Sequence, residues 1–198
     1  MSATCTSIQK SLEWCEGTPE QPGIKRRAYY ASKSKIVQWP TLPHDENGRV
    51  TAAKYSGNFV MGANATFKYI DFLPSKSQLT SDPQGEYPSQ TQLNKLVMVH
   101  PGVGEDAATA AASLNNSDNV FIVEDMKGNY RVVGSEKWET KTTVAQDNGQ
   151  GPTGTASTTI SVEATDECVA PFYTGYIITD DGVVNDDPEH PYSPPVGG

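Results

Sequence analysis

Gly149, Gly151 and Gly154, in the stretch QDNGQGPTGTASTTISVE (residues 146–163), have the G-x-G-x-x-G spacing that cradles a dinucleotide pyrophosphate. That chemistry needs a strand before the glycines and a helix after them, with the helix N-terminus aimed at the phosphates. The residues that follow are Thr-Ala-Ser-Thr-Thr-Ile-Ser-Val, a β-rich run, and Pro152 removes a backbone N–H from inside the cradle. Asp166 and Glu167 come too soon for the ribose-binding acid, which is expected about 20 residues on, at the end of a second strand. The glycines and Asp147-Asn148 therefore read as the bend of a long hairpin loop leading into a strand.

The other reactive residue types are dispersed. Cys5, Cys15 and Cys168 are odd in number and lack C-x-x-C spacing, so neither a disulfide framework nor a zinc knuckle is supported, and free thiols are expected. His44, His100 and His190 have no ligand-spaced partners. The run DDGVVNDD, residues 180–187, lacks the alternating acids and closing glutamate of a calcium loop. Asn64-Ala65-Thr66 and Asn115-Asn116-Ser117 fit the glycosylation acceptor pattern, which is short enough to arise by chance. Trp14, Trp39 and Trp138 are far apart and suit core or interface anchoring more than a sugar platform. With no local Ser/His/Asp or Cys/His signature, the expectation is a chain without catalytic, cofactor-binding or metal-ligating residues, and not an enzyme.

Charge is more informative. The net is −9 over 198 residues. Residues 1–141 hold 15 Lys and Arg against 15 Asp and Glu, whereas residues 142–198 hold no Lys or Arg and nine acids. Lys25, Arg26, Arg27, Lys33 and Lys35 form a basic cluster near the start, and Asp180, Asp181, Asp186, Asp187 and Glu189 an acidic one near the end. A basic entry and an acidic exit suit electrostatic docking within a chain or between copies, although both also suit a solvated surface. No stretch approaches the ~20 apolar residues of a membrane span. The opening MSATCTSIQKSLEWCEG has no apolar signal-peptide core, so synthesis and use in a cytosol are expected.

The elements around these residues read as strands. IKRRAYYASKSKIVQW suits one or two strands around a Ser-Lys turn, and ANATFKYIDFL, apolar on both faces, a strand central in a sheet. QLNKLVMVH is a strongly apolar strand. EDAATAAASL is the one clear helix, with acids in its first turn and a small stripe of Ala107, Ala110, Ala111 and Leu114 that allows close packing on a sheet. NVFIVED-MKGN-YRVVGS is a hairpin turning at Gly128-Asn129. TASTTISVEAT alternates cleanly, with Ala156, Thr158, Ile160, Val162 and Ala164 on one face and Ser157, Thr159, Ser161, Glu163 and Thr165 on the other. PFYTGYIIT is the last strand, residues 41–58 and 74–91 are long polar loops, and residues 135–155 are loop or an irregular strand pair. The count gives a mainly β fold, a β-sandwich or barrel with one flanking α-helix, long loops and extended terminal arms. The chain divides into an N-terminal extension (1–23), a single β-rich domain (24–179) and an acidic, proline-rich C-terminal arm (180–198).

The order of these features over roughly residues 22–178 resembles the tail tube proteins, or major tail proteins, of long-tailed bacteriophages. PGIKRRAYYA opens a β-domain, and a long loop precedes ATFKYIDFL. The alanine-rich helix, the VFIVEDMKGNYRVVG hairpin and the late segment GQGPTGTASTTISVEATDECVAPFYTG follow. The resemblance implies a β-sandwich whose copies close into rings, six to a ring, with hairpins joining an inner β-barrel. The rings stack head to tail into a tube through which DNA passes without specific binding. The expected partners are further copies and other virion tail proteins, not a membrane. The expected location is the virion tail, after synthesis in the host cytoplasm. A lumen must not hold phosphates, so it should lack a basic surface. Under this reading Asp147, Thr159, Ser161 and Glu163 are lumen or inter-ring candidates, and the 41–58 and 74–91 loops are candidates for ring-to-ring contact. The acidic arm is the candidate clasp for the Lys25–Lys35 cluster of a neighbour. The alternatives are another head, connector or tail-end component of a phage, or a ligand- or carbohydrate-binding β-sandwich module.

Overall fold

The computed structural model describes residues 7–185 and 192. It is mainly β, with 44% strand and 11% helix, and forms a sandwich with a single α-helix among the described residues. The strands are β1 (Ile24–Ser32), β2 (Ile36–Gln38), β3 (Val60–Met61), β4 (Lys68–Asp71), β5 (Gln78–Gln84), β6 (Thr91–Pro101), β7 (Asn119–Asp125), β8 (Tyr130–Val133), β9 (Thr140–Asp147), β10 (Ser157–Asp166), β11 (Phe172–Tyr173), β12 (Ile177–Thr179) and β13 (Gly182–Val184). The helix α1 spans Glu105–Leu114.

One sheet has the order β11-β8-β7-β1-β4, all neighbours antiparallel. Strand β7 carries Val-Phe-Ile-Val at 120–123, a continuous apolar run, because both faces of this sheet are covered. Phe121 and Val123 point into the sandwich core with Ala28, Leu96, Met98 and Ile160. Val120 and Ile122 point to the other face, where Leu42, Tyr55, Phe59 and Phe67 form a second core with Tyr173 and Ile177. That second core is knitted by polar contacts as well. The Tyr173 hydroxyl donates to Tyr176 O at 2.8 Å and accepts the Phe59 N–H at 3.3 Å.

The other sheet has the order β5-β6-β10-β9. Its inner face presents Leu96, Met98, Ile160, Val162 and Ala164, following the two-residue alternation of each strand. Helix α1 lies along β9 and is tied to it at its C-terminal end, where Asn115 Oδ1 accepts the Val144 N–H at 2.8 Å. Asp118 Oδ1 accepts the Thr140 N–H at 2.9 Å.

The helix, the 119–133 hairpin, β6 and the alternation of β10 match the sequence expectations. Four details differ. The ATFKYIDFL strand is at the edge of its sheet and not central; its two apolar faces are explained by the second core, which takes Phe67 on one side, and the sandwich core, which takes Ile70 and Phe72 on the other. The expected 74–91 loop contains the seven-residue strand β5, which tolerates Pro83 because an edge strand need not donate on its free side. Residues 140–147, expected as loop or irregular strand, form the regular strand β9. The 41–58 loop has no named strand, yet it buries Leu42 and Tyr55 in the second core and is not a free projection. At the C-terminal side, the body continues past residue 179: β13 pairs with β12, and Asp180 is hydrogen-bonded to Lys68 and Thr66.

Candidate functional site

One open feature is the outer face of the four-stranded sheet. Register places Ser157 opposite Asp147, Thr159 between Val99 and Ala145, Ser161 between Val97 and Thr143, and Glu163 between Lys95 and Lys141. Asp147, Thr159, Ser161 and Glu163 therefore share one face, while Thr158, Ile160, Val162 and Ala164 of the same strand are buried. The face is rich in hydroxyls but has bases on the neighbouring strands. Lys95 and Lys141 flank Glu163, and Lys95 also pairs with Asp82 at 3.1 Å. Asp82, Glu163 and Asp147 thus stand against two lysines, leaving the face slightly acidic.

The sheet's two borders differ. Side chains of Asn115 and Asp118 occupy two outward amides of β9; by alternation, the Thr142 and Gln146 amides lie on the same rail. The β5 border has no strand beside it among the described residues.

The basic cluster is largely satisfied within the chain. Lys25 pairs with Glu124 at 2.5 Å, and Arg27 forms two bonds to Asp71, at 2.7 and 2.8 Å. The Arg27 guanidinium holds the Asp71 carboxyl below the usual carboxylate range. Lys33 pairs with Asp118 at 2.9 Å and donates to Trp138 O at 2.7 Å. Arg26 and Lys35 have no ion-pair partner among the described residues. Asp180 takes Lys68, not the cluster; Asp181 is exposed, and Asp186, Asp187 and Glu189 lie outside the described residues. Three of the five cations expected to meet a neighbour's arm are thus already engaged by acids of adjoining strands and turns.

The glycine loop is no phosphate cradle. Residues 151–153 form a short 3-10 turn and β10 follows, so no helix N-terminus faces the glycines. Gly149 has φ +75°, and a Cβ on Gly154 would lie 2.3 Å from the Gln150 nitrogen. The glycines allow the chain to fold flat on itself before entering the strand.

Two exposed or polar features were not legible as sites in the sequence. The first is the arm of residues 7–22, which has no regular secondary structure and holds Leu12 96% and Trp14 65% exposed. The second is a crevice of about 340 Å³ between the 39–44 segment, the β8–β9 connection and the end of β10. There, His44 Nε2 and Glu167 Oε2 are 2.5 Å apart, and Lys137 donates to the other Glu167 oxygen. Burial works to raise the Glu167 carboxyl, but the bonds from Lys137 and His44 outweigh it and hold the group below its usual range. Asp166 beside it is buried, and desolvation pushes it up to about 6. Residues 44, 137 and 167 are remote in sequence, so only the fold brings them together.

Cys15 is exposed and Cys168 half-buried, both as free thiols, while Cys5 and His190 lie outside the described residues. No group of three potential metal ligands occurs among the described residues, and no described helix is long and apolar enough to cross a membrane. No protein-family model, curated protein or solved structure matches the chain.

Proposed function

We propose that this chain is a structural protein that assembles with copies of itself into rings, hexameric in the simplest arrangement, stacked as the tail tube of a long-tailed phage. The observation that carries the reading is the uncovered face of the β5-β6-β10-β9 sheet. It gathers Asp147, Thr159, Ser161 and Glu163 beside further threonines and serines and is slightly acidic. Such a lining offers DNA hydroxyls and no excess of cations, so a polyanion slides past without being held. Strand borders joined between copies would close the sheets into a barrel and remove the open β5 border that an isolated monomer leaves exposed. The exposed Leu12 and Trp14 on the arm supply apolar surface that contact with a neighbour covers.

Sedimentation velocity over a range of protein concentration and salt tests this reading. The expected outcome is a concentration-dependent shift from the 21.4 kDa chain to ring-sized and larger species. A single species of monomer mass under every condition would overturn it.

A further inference from the structure

A separate crevice, of about 270 Å³, opens where the free border of β5 meets the start of β1, the end of β7 and Arg131 of β8. Arg131 is held there by its own sheet. Its guanidinium carbon lies 4.0 Å over the Phe172 ring, and its Nε donates to Ala170 O at 2.8 Å. These contacts fix the plane of the guanidinium and leave Nη1 and Nη2 with neither a hydrogen bond nor an ion pair among the described residues. Neither nitrogen is shut off from solvent. Arg27 and Arg49, in contrast, close on Asp71 and Asp45.

The surroundings add donors and limit the charge of an acceptor. Pro83 has no N–H, so its nitrogen lies on the free border of β5. Alternation puts the Leu79 and Ser81 N–H groups on the same border, and both residues line the crevice. Burial holds the Arg131 guanidinium below its ordinary pKa, and the nearby Asp125 carboxylate does not restore it. Both Asp125 oxygens already accept from Asn129. A half-buried cation without a counter-charge favours an anionic acceptor at its free nitrogens. Two parallel N–H groups match the two oxygens of a carboxylate. Asp125 lines the same crevice and repels a second negative charge, which disfavours a phosphate dianion.

We propose that this crevice is a binding site for a carboxylate on a short aliphatic stem. Arg131 Nη1 and Nη2 donate to its two oxygens, the Leu79 and Ser81 N–H groups stand along its path, and the stem lies against the Leu79 side chain. The volume of about 270 Å³ suits one such group and falls just below the ~300–1,000 Å³ range of drug-sized ligand pockets. The carboxylate arrives free in solution or on an aspartate or glutamate of a second copy, and the site chemistry is the same for both.

The test titrates the full chain with propionate at constant ionic strength, using methyl phosphate as a doubly charged anion at about pH 8, and follows binding by calorimetry or chemical-shift change. The expected result is saturable binding of propionate at about 10 mM or below, weakened about tenfold or more in Arg131→Gln and severalfold in Gln78→Glu, with weaker binding of methyl phosphate. Gln78 is exposed on the crevice wall, so the added charge of Gln78→Glu is readable even where Arg131→Gln changes folding. Competition between propionate and self-association identifies a second copy as the source; binding that leaves association unchanged identifies a free ligand. Either supports the site. Absence of saturable propionate binding, equal or tighter binding of methyl phosphate, or affinity unchanged in both variants would overturn it.

Discussion

Burial sets Asp166 apart from Asp71 and Glu167. Asp71 and Glu167 are held below their usual range by cationic partners, whereas desolvation pushes Asp166 up to about 6. The sign of the consequence is therefore opposite. An unfolded aspartate releases its proton near pH 4, and the native one holds its proton until about pH 6. Between those values the native state binds more protons, so Asp166 costs stability as pH rises, about 3 kcal/mol in total once both states are ionised. Asp166→Asn removes that term. Denaturant unfolding of parent and variant from pH 4 to 8 should show the variant gaining on the parent up to about pH 6–7, with a constant difference above; parallel curves would contradict the assignment. Residue types alone did not reveal this. In the sequence, Asp166 and Glu167 were simply acids too early to bind a ribose, because their environment is made by residues 39–44 and 135–137, far away along the chain. The alternation of β10, in contrast, was fully legible, since a strand with one buried face writes its orientation into every second residue.

At the level of elements, the helix and the 119–133 hairpin were readable because each carries its own local signals: acids in a first helical turn, a Gly-Asn turn between β-branched runs. Strands β5 and β9 were obscured. QLTSDPQ contains a proline and TKTTVAQD is mostly polar, and each is an edge strand whose conformation is fixed by a long neighbour, β6 or β10. The apolar residues of the 41–58 loop were likewise hidden among polar ones until the fold placed Leu42 and Tyr55 over the five-stranded sheet. The arm of residues 7–22 presents the reverse case, large apolar side chains that the described monomer does not bury. Leu12→Ser and Trp14→Ser should therefore change the unfolding free energy by less than ~0.5 kcal/mol, because exposed positions away from packing are nearly neutral. The same pair should move the onset of self-association to higher protein concentration. A stability loss of several kcal/mol, or an unchanged association curve, would show that the arm acts differently.

For the whole molecule, charge segregation along the chain does not translate into one acidic surface. The stretch 142–198, free of Lys and Arg, contributes β10, but Lys95 and Lys141 from the adjoining strands stand on either side of Glu163, and the outer face is only slightly acidic. The early basic cluster is mostly neutralised by Glu124, Asp71 and Asp118 before any neighbour is met. What the folded monomer leaves unsatisfied is surface of other kinds: an uncovered hydroxyl-rich sheet, an open strand border and an apolar arm. These three together motivate assembly as the function. Negative-stain electron microscopy of the purified chain, concentrated in moderate salt, tests that claim most directly. Closed rings with an open centre, and their stacks as tubes of uniform width, are expected. Isolated particles of monomer size at every concentration, or aggregates with no closed symmetry, would contradict it.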